Sequence, residues 1–304
     1  MREVQNQALV TMKSPIKLVM AHVHAAPRNV VRERVSEFDA QFSDYVLEFL
    51  DDHKWIAHVD VDDRHIRVSR RVVEVLWAAS LAYLRVFEAI KERTAGRMHE
   101  SVLIEFAADG ELQRVMKLFQ WAMESWLNAE DVPWPADLPR PVPNPTKKSD
   151  ADCADELSLA ATAFILHHEL AHIRLRHAGP GDLDAERDAD REAASWLLSG
   201  FDGDEDPKFI KRALGTATAL GVLVARGIHT GDFGGTTHPR SFDRLMHALD
   251  RYVRYPNHLV WFFVIAMLTL HLDNADHGTA VSKGPYDSAR ACADAYVEAM
   301  SRDS

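Results

Sequence analysis

Apolar residues recur at helical spacing along most of the chain. Residues 28–50, 71–92 and 111–128 place apolar side chains three or four positions apart, with charged residues between them. This period predicts amphipathic helices. The same pattern resumes in six later segments: 152–177, 184–199, 207–227, 239–254, 257–272 and 285–301.

One segment departs from the helical period. Residues 55–68 alternate apolar and polar side chains on both sides of an acidic turn at Asp62 and Asp63. Alternation with a period of two predicts a β-hairpin. The predicted fold class is therefore mainly α (α+β), a helical core with a small N-terminal β-hairpin or sheet.

A proline-rich segment divides the chain. Its prolines exclude a helix or a central strand and indicate an extended strap over residues 131–147. We predict an N-terminal helical part at 1–130, which includes the hairpin, and a helical domain at 148–304. The prolines of this segment are Pro133, Pro135, Pro139, Pro141, Pro143 and Pro145.

Composition limits the class of protein. The net charge of −11 argues against a nucleic-acid partner, which requires a basic surface. The two cysteines, Cys153 and Cys292, form no disulfide framework and fit a reducing compartment. The longest apolar run, 259–270, is shorter than the ~20 residues that span a bilayer. With no clear signal peptide, we expect a cytoplasmic protein that is not inserted in a membrane.

The candidate chemistry begins with an H-E-x-x-H motif formed by His168, Glu169 and His172. On a helix, positions i and i+4 share a face, so both imidazoles can bind one metal ion and the glutamate can act as a base beside it. The apolar residues 157–166 precede the motif and predict that the site is buried. The alternative is that both histidines face solvent on an amphipathic helix.

A third metal ligand is predicted in the next helix. Glu186 and Asp190 lie four residues apart, after a turn at 178–182 that would fold this helix back on the first. Glu186 could reach the metal, and Asp190 could accept the outer ring N–H of a ligand histidine. The alternative is a solvated acidic first turn that stabilises the helix.

His177 competes with Glu186 as the third ligand. It follows His172 by five residues, which is about 500° of helix rotation and places it on another face. We therefore reject His177 as a direct ligand.

A final element lies near residue 240. His238 follows a glycine-rich loop and directly precedes Pro239, which we predict to begin a helix. His238 could stabilise an oxyanion, although a purely structural cap is equally open. Arg244 could pair with the acidic groups around Glu186 and Asp190.

These motifs together resemble the gluzincin metallopeptidases of the HtpX and CAAX-processing type. In that family the two histidines and the first glutamate of E-x-x-A-D bind zinc, and the glutamate of H-E-x-x-H is the catalytic base. The resemblance covers roughly 165–250. Those enzymes are usually embedded in membranes, so a soluble relative is implied. The matching residues are His168, Glu169, His172, Glu186, Ala189, Asp190, His238, Pro239 and Arg244.

The whole chain is also similar to the Lit-type phage-exclusion peptidases. This resemblance rests on length, on a mid-chain motif within HHELAH and on the following ERDADREA stretch. It implies a cytoplasmic protease of bacterial defence that cuts a host protein, with elongation factor Tu as the family's substrate.

We therefore predict a Zn²⁺-dependent endopeptidase that acts on a protein or peptide substrate. Glu169 is the expected base, and the hairpin at 55–68 is the candidate edge to which an extended substrate adds. An activating peptide or partner that ends a latent state is left open. Two other interpretations are a catalytically inert zinc-containing regulatory or protein-binding module, and a metal-free helical interaction protein with a chance motif.

Overall fold

The structure is a computed structural model that describes residues 12–93, 109–177, 182–235, 238–275 and 286–302. These residues form mostly helices and one three-stranded sheet near the N-terminus, which confirms the predicted fold class. The helices are α1 (Lys17–Val23), α2 (Ala26–Val30), α3 (Val35–Gln41), α4 (Arg70–Arg93), α5 (Gly110–Leu127), α6 (Asp150–Leu175), α7 (Leu183–Leu198), α8 (Pro207–Thr230), α9 (Ser241–Asp250), α10 (Leu259–Ala275) and α11 (Ala289–Arg302), with a 3₁₀ turn at Arg32–Arg34. The strands are β1 (Val46–Leu50), β2 (Ala57–Asp60) and β3 (His65–Ser69).

The prediction of one helix over residues 28–50 is wrong. Short helical pieces end at residue 41, and strand β1 follows. Leu47 and Phe49 of β1 are buried, whereas Val46, the first residue of the strand, is exposed. β1 pairs in parallel with β3, so its backbone hydrogen bonds come from a segment about 20 residues away. Local periodicity does not report such a non-local partner.

The hairpin at 55–68 is present. β2 and β3 are antiparallel, and the turn between them ends at Arg64 in a left-handed conformation (φ 51°). The strand order is β1-β3-β2, which places β2 at an edge of the sheet.

Helix α6 lies at the centre of the molecule. It packs against α8, α7, α4 and α2, and it also contacts strand β2. The contact of α6 with α8 requires Gly215, because a Cβ there would lie 2.5 Å from the Cβ of Ala160 on α6. The apolar lead-in predicted from residues 157–166 is largely buried by these neighbours.

The apolar run at 259–270 forms a core helix. α10 packs against α4, α8 and α11, and Trp261, Phe263 and Leu268 are almost fully buried. Within the described parts of the chain, no helix has both the length and the apolar character that crossing a membrane requires.

The proline-rich strap forms neither helix nor strand and lies against α4 and α5. The indole N–H of Trp121 donates to the Pro133 carbonyl at 3.0 Å, and that of Trp134 donates to the Pro139 carbonyl at 3.1 Å. Asp131 pairs with Arg70 of α4. α4 in turn packs on α6 and α10. The division of the chain into separate parts at the strap stays a prediction.

Candidate active site

Helix α6 carries the H-E-x-x-H motif near its C-terminal end. Ser149 caps the helix by accepting a hydrogen bond from the Asp152 N–H. His168 and Glu169 are buried and His172 is half-buried, so the motif does not lie on a solvated face. Burial of polar side chains is costly unless they find partners, and the two carboxylates that face His168 come from α7.

Three potential metal-binding groups converge between α6 and α7. The Nε2 atoms of His168 and His172 are 3.1 Å apart. The carboxylate of Glu186 lies 3.4 Å from His168 Nε2 and 3.6 Å from His172 Nε2. One ligand atom from each residue lies within 4.8 Å of the other two, so the structure brings together the three predicted ligands.

Asp190 and Arg244 lie behind His168. His168 Nδ1 donates to Asp190 Oδ1 at 2.9 Å. Arg244 of α9 binds the same carboxylate in a bidentate manner, with Nε 2.7 Å from Oδ2 and Nη2 2.8 Å from Oδ1. The i, i+4 spacing on α7 directs Glu186 and Asp190 toward the same imidazole.

The donor atoms suit a divalent metal ion. In the neutral His168 ring, which a metal ligand must be, Nδ1 carries the hydrogen donated to Asp190 and Nε2 presents a lone pair toward His172 and Glu186. Glu186 Oε2 is buried and has no hydrogen-bond partner among the described residues. Two imidazole nitrogens and a carboxylate are the donors that a catalytic zinc site uses, so these residues fit such an ion.

Burial and charge shift the pKa values of the site in different directions. Burial raises the pKa of Glu169 to about 7. Burial, followed by the charge of His168, lowers the pKa of His172 to about 4. Burial opposes protonation of His168 too, but Asp190 and Glu186 outweigh it and raise its pKa to about 9. Despite burial, Arg244 and His168 hold the pKa of Asp190 well below its usual range.

The three groups open into a cleft of about 1060 Å³. Residues 57–60 of the edge strand β2 line one wall. Trp55 stacks on Trp126 at the same wall, with a centroid distance of 4.0 Å. None of the lining residues comes from the strap at 131–147, so the strap does not cover the cleft in the part of the chain that the structure describes.

His238 lies at the rim of the cleft. Its side chain is 53% exposed, and its Nε2 is 3.8 Å from Glu186 Oε2. Helix α9 begins at Ser241 with Arg240 as the N-cap, so the prediction that the helix begins at Pro239 is wrong by two residues. Just before this helix, the Gly235 N–H donates a backbone hydrogen bond to the His238 carbonyl.

Sequence reasoning missed the position of His177. Helix α6 ends at Leu175, so the helical rotation used to place His177 does not apply. The His177 ring lies against His172, with Nδ1 2.9 Å from His172 Nδ1. It is outside the group of three ligand atoms, but it lines the cleft. The signal available in the sequence was the third histidine of HELAHIRLRH.

The chain matches a known family of peptidases. Residues 66–264 match the model of the family described as peptidase U49. The chain is also 26% identical over 255 residues to the cell death peptidase of Escherichia coli strain K12, a match that covers 79% of this chain and 83% of that protein. No solved structure matches the chain significantly. The predicted resemblance to the Lit-type peptidases is confirmed, and the chain belongs to the peptidase U49 family.

Proposed function

We propose that this peptidase is a zinc-dependent metalloendopeptidase that cleaves a protein substrate with Glu169 as the general base. The observation that carries the proposal is that ligand atoms of His168, His172 and Glu186 lie within 4.8 Å of one another in a cleft that the buried Glu169 also lines. A purely structural zinc site closes its fourth position with another protein ligand and has no use for a base.

His168, His172 and Glu186 would hold the ion. A bound Zn²⁺ supplies Lewis acidity, which polarises the scissile carbonyl and makes an attacking water more acidic. Asp190 keeps His168 in the tautomer whose Nε2 faces the other two ligands, and Arg244 fixes the Asp190 carboxylate.

Glu169 moves the proton. In the metal-free site burial raises the pKa of its carboxylate, which makes Glu169 a stronger base than an exposed glutamate. The Glu169 carboxylate takes the proton from the attacking water and then delivers it to the leaving amine nitrogen. Its burial keeps bulk water away from this transfer.

His238 is proposed to stabilise the oxyanion that develops on the substrate carbonyl. Its exposed side chain projects into the cleft from a loop, near Glu186 but outside the ligand group. A donor at this place would act on charge that appears only in the transition state.

The substrate is proposed to bind as an added strand. β2 is an edge strand, and its residues line the cleft together with His168 and Glu169. A main chain that pairs with this edge would pass beside the metal ligands, and its side chains would meet the apolar wall formed by Trp55 and Trp126.

We further propose a role in bacterial anti-phage defence by abortive infection, in the cytoplasm. The relative in Escherichia coli is named a cell death peptidase. Cys153 and Cys292 are free thiols, as expected in a reducing compartment. Activity of this kind would be held latent until an activating peptide or partner binds.

The test compares wild type with Glu169→Gln, which keeps the side-chain shape and removes the base. Both proteins are expressed in bacterial cells, and new protein N-termini and bound zinc are measured. We expect new N-termini only with wild type and near-stoichiometric zinc in both. Glu192→Gln is the matched control, because Glu192 lies on α7 and pairs with Arg174 instead of facing the ligands.

Two outcomes would contradict the proposal. If the Glu169→Gln variant cleaves proteins as wild type does, Glu169 is not the base. Purified wild type without zinc would exclude the metal mechanism. A biological effect that survives Glu169→Gln while cleavage is lost would favour the alternative, an inert zinc-containing regulatory or binding module.

A further inference from the structure

The end of helix α6 turns the chain back over the second histidine of the motif. Arg176 adopts a left-handed conformation with φ 55° and ψ 47°. The His177 N–H then donates to the His172 carbonyl at 3.1 Å, a bond across six residues that is typical of a Schellman helix end. His177 is thereby held next to the turn that contains His172.

The two rings make a direct polar contact. His177 Nδ1 lies 2.9 Å from His172 Nδ1, and the rings meet edge to face with centroids 4.9 Å apart. The distance is that of an N–H···N hydrogen bond, so one nitrogen carries the hydrogen and the other accepts it.

The opposite side of the His172 ring decides which nitrogen donates. Its Nε2 faces His168 Nε2 at 3.1 Å and the Glu186 carboxylate at 3.6 Å. To serve as a ligand, Nε2 must present its lone pair at that point. The single hydrogen of the neutral ring then sits on Nδ1 and points at His177, whose Nδ1 accepts it.

His168 and His172 therefore receive different outer partners. His168 donates to Asp190, a carboxylate held by Arg244. The outer nitrogen of His172 meets an imidazole supplied by the residue just beyond the helix. Both arrangements fix a ring and its tautomer, but only the first adds a negative charge.

We propose that His177 is a positioning residue that orients His172 for metal binding by accepting its Nδ1–H. This inference rests on the proposed zinc site. Partners of this kind typically contribute 10- to 100-fold to metal affinity, because an unrestrained ring samples rotations and tautomers that cannot bind.

The experiment compares two isosteric replacements. In His177→Asn the Oδ1 atom can occupy the place of Nδ1 and accept the hydrogen bond, whereas His177→Leu has the same shape and no acceptor. Zinc affinity is measured by chelator competition, and the site geometry is followed by the visible absorption of the Co²⁺-substituted protein. We expect about 10- to 100-fold weaker zinc binding and an altered Co²⁺ spectrum for Leu, with most of the loss recovered by Asn.

The control variant is His247→Leu. It removes an exposed histidine of α9 that does not line the cleft, and it should bind zinc as wild type does. Equal affinities and spectra for wild type, His177→Asn and His177→Leu would overturn the positioning role alone. A wild type that binds no zinc would overturn both this role and the proposed function. Metal-free melting temperatures establish that the two variants fold alike.

Discussion

Two adjacent histidines on helix α6 lie in opposite environments. His167 is almost completely buried, stacks on Trp196 and donates from Nε2 to the Pro27 carbonyl at 3.0 Å. Burial lowers its pKa to about 3. Burial acts on His168 in the same direction, but the carboxylates of Asp190 and Glu186 raise its pKa to about 9.

The difference shows that burial alone does not mark a functional histidine. The His167 face of α6 is closed by aromatic rings and one carbonyl, so it favours a neutral ring and a well-packed core. The His168 face gathers three buried acidic side chains, Glu169, Glu186 and Asp190, around the two histidines. Such a group is costly to bury without compensating charge, and its retention in one cleft is typical of a functional site.

The largest effect is expected when the compensating charge is removed. In Arg244→Met the Asp190 carboxylate keeps its place but loses its bidentate partner, and both side chains are only 11% exposed. Loss of one partner from a buried ion pair costs about 3–5 kcal/mol. Urea denaturation of the metal-free protein should show a decrease of this size in the free energy of unfolding.

The matched control lies on the surface of α7. Arg191 pairs with Asp188, and the two side chains are 59% and 42% exposed. Arg191→Met should cost about 0–1 kcal/mol, because exposed pairs are screened by water. Equal costs for the two substitutions would show that Arg244 does not stabilise the buried carboxylates beside His168.

The second test is acidification, which should destabilise the folded protein through His167. The folded pKa of about 3 lies below the unfolded value of about 6.5, so the unfolded chain binds more protons between them. The associated stability is present above pH 6.5 and is lost as the pH falls toward 3. Between pH 7 and pH 5 this single group should cost about 2 kcal/mol.

His167→Gln isolates that contribution. The glutamine amide can donate to the Pro27 carbonyl but cannot gain a proton, so the variant should lose about 2 kcal/mol less than wild type between pH 7 and pH 5. The measurement is the free energy of unfolding from urea titrations at both values. His24→Gln, an exposed control, should follow wild type. Parallel pH curves for wild type and His167→Gln would show that His167 titrates normally in the folded protein.

The sequence predicts the helices better than the sheet for a physical reason. α6 and α10 are long, and their neighbours bury most of their surface, so boundaries and burial follow from local pattern and caps such as Ser149. β1 is a strand because β3 pairs with it. Val46, Phe49 and Leu50 fit a helical pattern, Leu47 and Phe49 fit an alternating one, and only the distant partner decides between them.

The candidate site shows the same limit. His168, His172, Glu186 and Asp190 converge because their i, i+4 spacings hold on two regular helices that pack together. His177 could not be placed by that rule, because its position depends on where α6 ends. The left-handed residue at that end is an arginine, and a glycine or asparagine there would have been the usual signal.

The smallest expected effect concerns that same residue. A non-glycine residue at φ 55° carries a strain of about 1 kcal/mol, which glycine avoids. Arg176→Gly should therefore raise the free energy of unfolding by up to about 1 kcal/mol, and Arg174→Gly, within the last regular turn of α6, should lower it by a similar amount. Denaturation of the two variants gives the sign of each change.

Because glycine permits the same backbone turn, His177 should still reach His172, and zinc affinity in Arg176→Gly should equal that of wild type. A more stable protein that binds zinc more weakly would mean that the arginine side chain, and not only the turn it forms, holds this end of the site, and the two histidine faces of α6 would then differ in more than their carboxylates.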